Sequence, residues 1–260
     1  MKKPIVLPMD VRLMQWTSVL MFGLAFVMCV ASGMGWLLRH PVFSIQGITV
    51  RGDVTHSNVV TLRANVVPQL SGNFFTLNLF QARQAFEQIP WIRTALVRRE
   101  FPNRLAVTLE EFQPVAQWGV EGDGKFLSAE GAVFEVNADD VDIDTLPTLK
   151  GPESQAKLVL EMYKHIKPMF AKMDMNIEKL ELSQRGSWSA QLETGAIVEL
   201  GHGSLPEMGE RLQLFFKTLT QVASRYGRTA ASLLSADLRY ESGYALRLRG
   251  VSTLESLKKP

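Results

Sequence analysis

The sequence predicts an α+β chain with a single N-terminal transmembrane helix, a β-α-α-β-β domain and a C-terminal antiparallel β-sheet domain that includes helices. Three observations carry this. Residues 16–38, from Trp16 to Leu38, hold no charged side chain. The next seventy or so residues, roughly, alternate in period and punctuation between strand and helix. The remainder is richer in short alternating segments, with two long amphipathic stretches between them.

As a helix, residues 16–38 would span roughly 34 Å at about 1.5 Å per residue, enough for the roughly 30 Å hydrocarbon core of a bilayer. A cleaved signal peptide is the competing reading, and Ala31, Ser32 and Gly33 mimic its cleavage site. Met34 to Leu38 then continue bulky and apolar, which a signal peptide does not do. Lys2, Lys3 and Arg12 precede the segment and Arg39 and His40 follow it. The Lys/Arg bias therefore makes residues 1–15 a cytoplasmic tail and exports the rest.

Charged residues make up 21% of the chain and hydrophobic ones 46%, a globular composition. A net charge of +2 leaves no footprint for nucleic acid. Cys29 is the single cysteine and lies in the apolar segment, so the exported part has no disulfide and no Cys/His zinc site.

The first folded segment is expected over 43–112. Ser44–Val50 reads as a strand ending in the Arg51-Gly52-Asp53 turn. From Ser57 to Val67, Val59, Leu62, Val66 and Val67 share one side of a helix ended by Pro68. Beyond the Ser71-Gly72-Asn73 loop, Asn78 caps a second helix with Leu79, Ala82, Phe86 and Ile89 in register, stopped by Pro90. Trp91–Phe101 and Arg104–Glu111 then form a hairpin across Pro102-Asn103.

The second segment is expected over 113–250, followed by a flexible tail, 251–260. Strands are expected at 115–120, 125–128, 132–136, 177–182, 187–193, 196–200, 233–240 and 243–249. The first helix runs from Pro152 to about Lys172, and Pro168 should kink or end it. Ser204 and Glu207 form a capping box for the second, with Leu205, Met208, Leu212, Phe215, Leu219, Val222 and Tyr226 in register and Gly227 at its end.

Motifs for chemistry are sparse. His40, His56, His165 and His202 show no ligand spacing. Asp140, Asp142 and Asp144 alternate like a calcium loop, but Thr145 stands at the turn glycine's place and Gly151 at the last ligand's. Gly201-His202-Gly203 lacks the rest of a phosphate-binding fingerprint. No GxSxG motif or P-loop is present, so no catalytic residue, cofactor or metal is expected. What remains is binding. Leu246 and Leu248 should face one way along the last strand, and Arg247 and Arg249 the other. At a sheet edge, that strand would accept a partner's strand or would merely be protected by its arginines, and pattern alone leaves both open.

An ordered set of local motifs covers nearly the whole chain. It runs Pro90-Trp91-Ile92, Val97-Arg98-Arg99, Phe101-Pro102, Glu110-Glu111, Pro114-Val115-Ala116 and Trp118. It continues with Ala129-Glu130-Gly131, Ser187-Trp188 and Asp237-Leu238-Arg239-Tyr240-Glu241-Ser242-Gly243. With the basic tail and single membrane helix, this resembles the FtsQ/DivIB family of bacterial cell-division proteins, and the segment 43–112 resembles a POTRA domain. The resemblance implies a non-enzymatic divisome scaffold in the inner membrane at the septum, single-pass type II. It implies contact with FtsK through the POTRA domain, binding of FtsB and FtsL through the C-terminal strands, and an indirect link to FtsW and FtsI. The partner surface so implied comprises Arg239, Tyr240, Ser242, Gly243, Leu246 and Arg247, with Trp188 as core support beneath it. The family often places two basic residues before Ser-Trp. Here Gly186 follows Arg185, and Arg185 is expected to supply the basic contact alone. The alternative class, a POTRA-bearing envelope assembly or secretion factor, would need a membrane β-barrel that about 140 residues with two helices do not supply.

Overall fold

A computed structural model describes residues 9–38, 40–52, 54–56, 59–70, 72–240 and 243–251. Lys2, Lys3, Arg39, Asp53, Ser57, Ser71, Glu241, Ser242 and the tail from 252 onward lie outside the described residues. The chain divides into two compact units, Met1–Glu111 and Phe112–Pro260.

Helix α1 runs from Met9 to Leu38 and begins ahead of the apolar run. Within it Leu13–Trp36 is long and apolar enough to cross a membrane. Apolar side chains such as Leu20, Phe22 and Phe26 are exposed around it, as a helix solvated by lipid requires.

The rest of the first unit follows the β-α-α-β-β order, with strand β1 (Gly47–Arg51), helices α2 (Val59–Val66) and α3 (Leu79–Glu87), and strands β2 (Ile92–Glu100) and β3 (Arg104–Glu111). The sheet order is β1-β3-β2, with β1 parallel to β3. Leu62 and Val66 from α2 and Ala82 and Phe86 from α3 close over Ile48, Leu105, Val107 and Leu109 of the sheet. Val67, expected on the buried side of α2, is 45% exposed. The chain tightens into a 3-10 turn at Val67–Gln69, where Pro68 ends the α-helical register. Asn78 caps α3, its side-chain oxygen accepting from the amides of Phe80 at 2.9 Å and Gln81 at 3.4 Å.

In the second unit come strands β4 (Pro114–Trp118), β5 (Lys125–Ser128), β6 (Val133–Glu135) and β7 (Thr148–Lys150), then helix α4 (Ala156–Ala171). Strands β8 (Ile177–Leu182), β9 (Trp188–Leu192) and β10 (Ile197–Gly201), helix α5 (Leu205–Arg225), and strands β11 (Leu233–Asp237) and β12 (Ala245–Leu248) complete it. They form a nine-stranded sheet in the order β12-β11-β10-β9-β8-β7-β4-β5-β6. The sheet is open, with β12 and β6 at its edges, and is therefore not a closed barrel.

Four features depart from expectation. The sheet is mixed rather than antiparallel, because β4–β7, β7–β8 and β10–β11 pair in parallel. Helices α4 and α5 are the crossovers for the last two, and parallel neighbours need such a connection. Strand β7 was not anticipated; three residues between Pro147 and Gly151 are too short to show a period. Pro168 neither breaks nor ends α4 at once. It stands in the final turn, where the amide of Lys172 still reaches its carbonyl at 3.3 Å. Finally, β11 ends at Asp237 and β12 begins at Ala245, so a longer loop replaces the short hairpin turn.

One core joins the sheet to both crossovers. Val159, Ile166 and Phe170 from α4 and Met208, Leu212, Phe215 and Leu219 from α5 pack with Leu180, Trp188, Val198 and Leu248. Truncating Phe215, fully buried at that junction, should therefore cost about 3–5 kcal/mol for Phe215→Ala. Asn78→Ala removes only a helix cap and should cost about 1 kcal/mol. Denaturant unfolding of the detergent-solubilised chain checks both, and equal losses would contradict this division between core and cap.

Candidate protein-binding edge

The geometry of β12 follows from a two-residue period beside a crossover. Ser235 faces Arg247, Ala236 faces Leu246 and Asp237 faces Ala245 across the β11–β12 pair. Leu248 is buried and Leu246 packs partly into the core, whereas Arg247 and Arg249 are exposed. The two faces are thus partitioned as the alternation indicates. Among the described residues no strand pairs with the outer side of β12. Leu246, a candidate contact residue, turns its side chain inward, so any contribution it makes to recognition runs through the strand's backbone.

The loop from Leu238 to Tyr244 is held at both ends. Leu238 is buried, and its amide donates to the carbonyl of Glu199 at 2.8 Å, prolonging the β10–β11 pairing by one bond. At the other end the Tyr244 hydroxyl lies 2.7 Å from Thr218 Oγ1 on α5, and its ring meets Phe215 edge-on at 5.1 Å. Between these anchors Tyr240 is 60% exposed. A cleft of about 400 Å³ separates this loop from α5, with Arg211, Leu214, Tyr240, Gly243 and Tyr244 among its walls. Sequence reasoning missed Tyr244 and Thr218. Their spacing of 26 residues carries no local signal.

Arg239 folds back on the strand it follows. Its Nε donates to Asp237 Oδ1 at 2.9 Å and its Nη2 to Oδ2 at 2.6 Å. Such a fork fixes orientation as well as charge. The side chain remains 57% exposed, so the guanidinium is positioned beside the loop and still meets solvent. Gly201 at the end of β10 makes room for it: a Cβ there would stand 3.0 Å from Arg239 Cγ, and the backbone φ of +79° favours glycine in any case.

Arg185 lies in the turn between β8 and β9 and is exposed. His202 Nε2 sits 2.9 Å from its carbonyl oxygen. A carbonyl only accepts, so the His202 ring carries its proton on Nε2. His202 follows Gly201, and Gly201 touches Arg239. The β8–β9 turn, the end of β10 and the loop after β11 therefore meet at one end of the sheet, and Arg185 joins Arg239 and Tyr240 there. Gly186 has a φ of +79° and donates its amide to Ser183 at 2.9 Å. The turn itself asks for glycine at that position, which accounts for the absent second basic residue. Trp188, which starts β9, is buried beneath this end. Arg211, not anticipated, ties the β10–α5 connection together by donating Nη1 to the carbonyls of Leu200 and His202. The expected capping box forms at the start of α5, where Glu207 accepts from the Ser204 amide at 2.8 Å. That bond, followed by one from the Ser204 side chain, holds the Glu207 carboxyl below its ordinary value.

This end of the sheet presents one exposed aromatic ring with cations beside it and, among the described residues, a strand edge with no strand paired to it. Among the described residues no group of three or more His, Cys, Asp or Glu side chains is placed to hold a metal ion.

Side-chain hydrogen bonds from Arg239, followed by its backbone bond and charge, hold the Asp237 carboxyl below the ordinary carboxylate value. A depressed carboxyl contributes stability that is present above the unfolded value, about 4, and lost as pH falls through the folded value. Amide exchange in the loop should thus stay protected at neutral and mildly acidic pH and loosen only below about pH 4. Asp237→Asn should leave the loop as loose at neutral pH as the native one is in acid and remove that dependence. A variant loop as protected as the native one would contradict the clamp.

Known proteins match this chain throughout. The family description "Cell division protein FtsQ/DivIB, C-terminal" matches residues 116–239, and "POTRA domain, FtsQ-type" matches residues 43–112. The "Cell division protein FtsQ" of Thiomonas arsenitoxydans is 38% identical, covering 95% of this chain and 91% of the relative. That of Burkholderia pseudomallei is also 38% identical, over 96% of this chain and 98% of the relative. The relative in Neisseria meningitidis serogroup B is 30% identical, over 91% and 94% respectively.

Proposed function

This chain belongs to the FtsQ/DivIB family of cell-division proteins, and we propose that it serves the division machinery as a non-enzymatic scaffold whose C-terminal edge captures the small bitopic proteins FtsB and FtsL. The observation that carries this reading is the combination at one sheet end of an unpaired edge strand, β12, and a doubly anchored loop presenting Tyr240. An extended segment of a partner can add to β12 by main-chain hydrogen bonding. Tyr240, on a loop already ordered by Leu238 and Tyr244, binds with little further entropy loss, as an anchor residue should. Arg239, Arg247 and Arg185 supply positive charge around it, which suits an acidic partner segment and favours fast encounter over deep affinity. Gly243 lines the same cleft as Tyr240, and Ser242 is proposed as a further contact from its place in the sequence.

In this reading α1 crosses the inner membrane once with the N-terminus cytoplasmic, and both folded units lie in the periplasm at the septum. The POTRA domain contacts FtsK, while FtsB and FtsL connect the scaffold to FtsW and FtsI. Holding these units in a thin layer beside the bilayer raises their effective concentration for partners anchored in the same membrane.

A photocrosslinking amino acid at Tyr240 should capture a small bitopic coiled-coil protein in living cells, and capture of none would overturn the assignment. In a chain without the crosslinker, Tyr240→Ala should abolish co-purification of the same protein. Arg185→Ala should weaken it several-fold, and unchanged binding there would remove Arg185 from the contact surface. Depletion of the chain should give filamentous cells without septa, whereas outer-membrane defects in dividing cells would point to the assembly-factor class.

A further inference from the structure

The first unit carries a second surface that needs an occupant. Four large apolar side chains are exposed at one end of the three-stranded sheet: Val42 at 53%, Phe75 at 44%, Phe80 at 64% and Phe101 at 74%. Single exposed apolar residues are ordinary, but a cluster of this kind marks a contact. Their placement at one end follows from the fold. The Gln46 amide donates to Asn103 in the β2–β3 turn at 2.9 Å, and the Phe74 amide donates to Phe43 at 2.8 Å. Arg99, near the end of β2, donates to the carbonyls of Phe74 at 2.6 Å and Leu77 at 2.7 Å. Rings connect the same segments: Phe43 meets Phe75 at 4.9 Å, and Phe74 meets Phe101 at 5.9 Å. The patch is thus built on an ordered frame.

Its position in the chain identifies what covers it. The membrane window of α1 ends at Trp36, which is exposed at the level where tryptophan marks the bilayer interface. Phe43 follows only seven residues later, a reach of at most about 25 Å even when fully extended. The 3-10 turn at Pro41–Phe43 shortens it further. The charge fits a lipid surface as well. Residues 40–47, 72–80 and 98–104 contain Arg98, Arg99 and Arg104 and one carboxylate, Glu100. Glu100 is occupied on the sheet, where Thr49 Oγ1 lies 3.4 Å from it. Aromatic rings with arginines and almost no acid are the composition of an interfacial anchor on anionic lipid.

We infer that this end of the POTRA domain docks on the outer leaflet of the membrane that α1 spans, with Phe75, Phe80 and Phe101 lodged among the lipid headgroups. The domain is then held by that end at a fixed height on the bilayer. The inference rests on α1 spanning the bilayer, and the test separates the two.

The full chain, with Cys29→Ser and a nitroxide on Phe101→Cys, is incorporated in nanodiscs of phosphatidylethanolamine and phosphatidylglycerol with no other protein present. Only chains that co-purify with the disc are measured, so failure of α1 to insert is read separately. Collisions of the label with a water-soluble nickel reagent should be several-fold rarer than at a reference label on exposed Lys125→Cys, and collisions with lipid-soluble oxygen more frequent. Adding Phe75→Ser and Phe80→Ser should return the Phe101 label to the aqueous range. A Phe101 label as accessible as the reference overturns the docking and leaves the patch to a protein partner. Protection that survives both serines overturns it too, because the tether alone would then explain the depth.

Discussion

Parallel pairing between β10 and β11 is the constraint on which the candidate binding end depends. Two strands that run the same way need a crossover, and α5 supplies it from Leu205 to Arg225. Because β11 leaves the sheet at the same end as β10, the loop after it emerges beside Gly201 and His202. The antiparallel turn from β8 to β9 opens at that end as well. An antiparallel β10–β11 pair would have sent Arg239 and Tyr240 to the far end of the sheet, away from Arg185. The crossover also supplies Phe215 and Thr218, on which Tyr244 rests. One topological choice therefore fixes both where the loop is and what holds it.

Much of this was legible in the residues. The long helices carry a 3.6-residue period and explicit stops, so α5 emerges with its cap at Ser204 and its end near Gly227. Strands β3, β5 and β8 follow alternation or turn residues to their observed limits. What escaped has common physical causes. A strand as short as β7 has no period to detect. Parallel against antiparallel pairing is decided by long-range partners, which local pattern does not record. The partitioning of Leu246 inward and Arg247 outward was readable from alternation, but the length of the loop before them was not. Beyond Leu238, whose amide still bonds Glu199, the pairing stops, and Asp237 and Arg239 close a local clamp in place of ladder bonds. Contacts such as Tyr244 with Thr218 belong to the fold alone.

The two units use apolar surface differently. In the second, one core joins the sheet to both crossover helices, and the large apolar groups left exposed include Leu214, Tyr226 and Tyr240. In the first, a smaller core of α2, α3 and three strands leaves several rings at the end next to the membrane linker. A small domain with no disulfide has limited apolar surface to bury. Leaving four such side chains in water is costly unless something covers them. On this reading the anchor does more than fix topology, because it brings the bilayer within reach of that face, while the proposed partner-binding edge lies at the opposite end of the sequence.

The most direct test of that division of labour is complementation in cells depleted of the chain. Replacing α1 with an unrelated single-span helix of the same orientation should largely restore septation. The native anchor combined with Tyr240→Ala, or with deletion of Leu238–Arg249, should leave filaments. Loss of division on swapping the anchor alone, or normal division without β12 and its loop, would contradict the account.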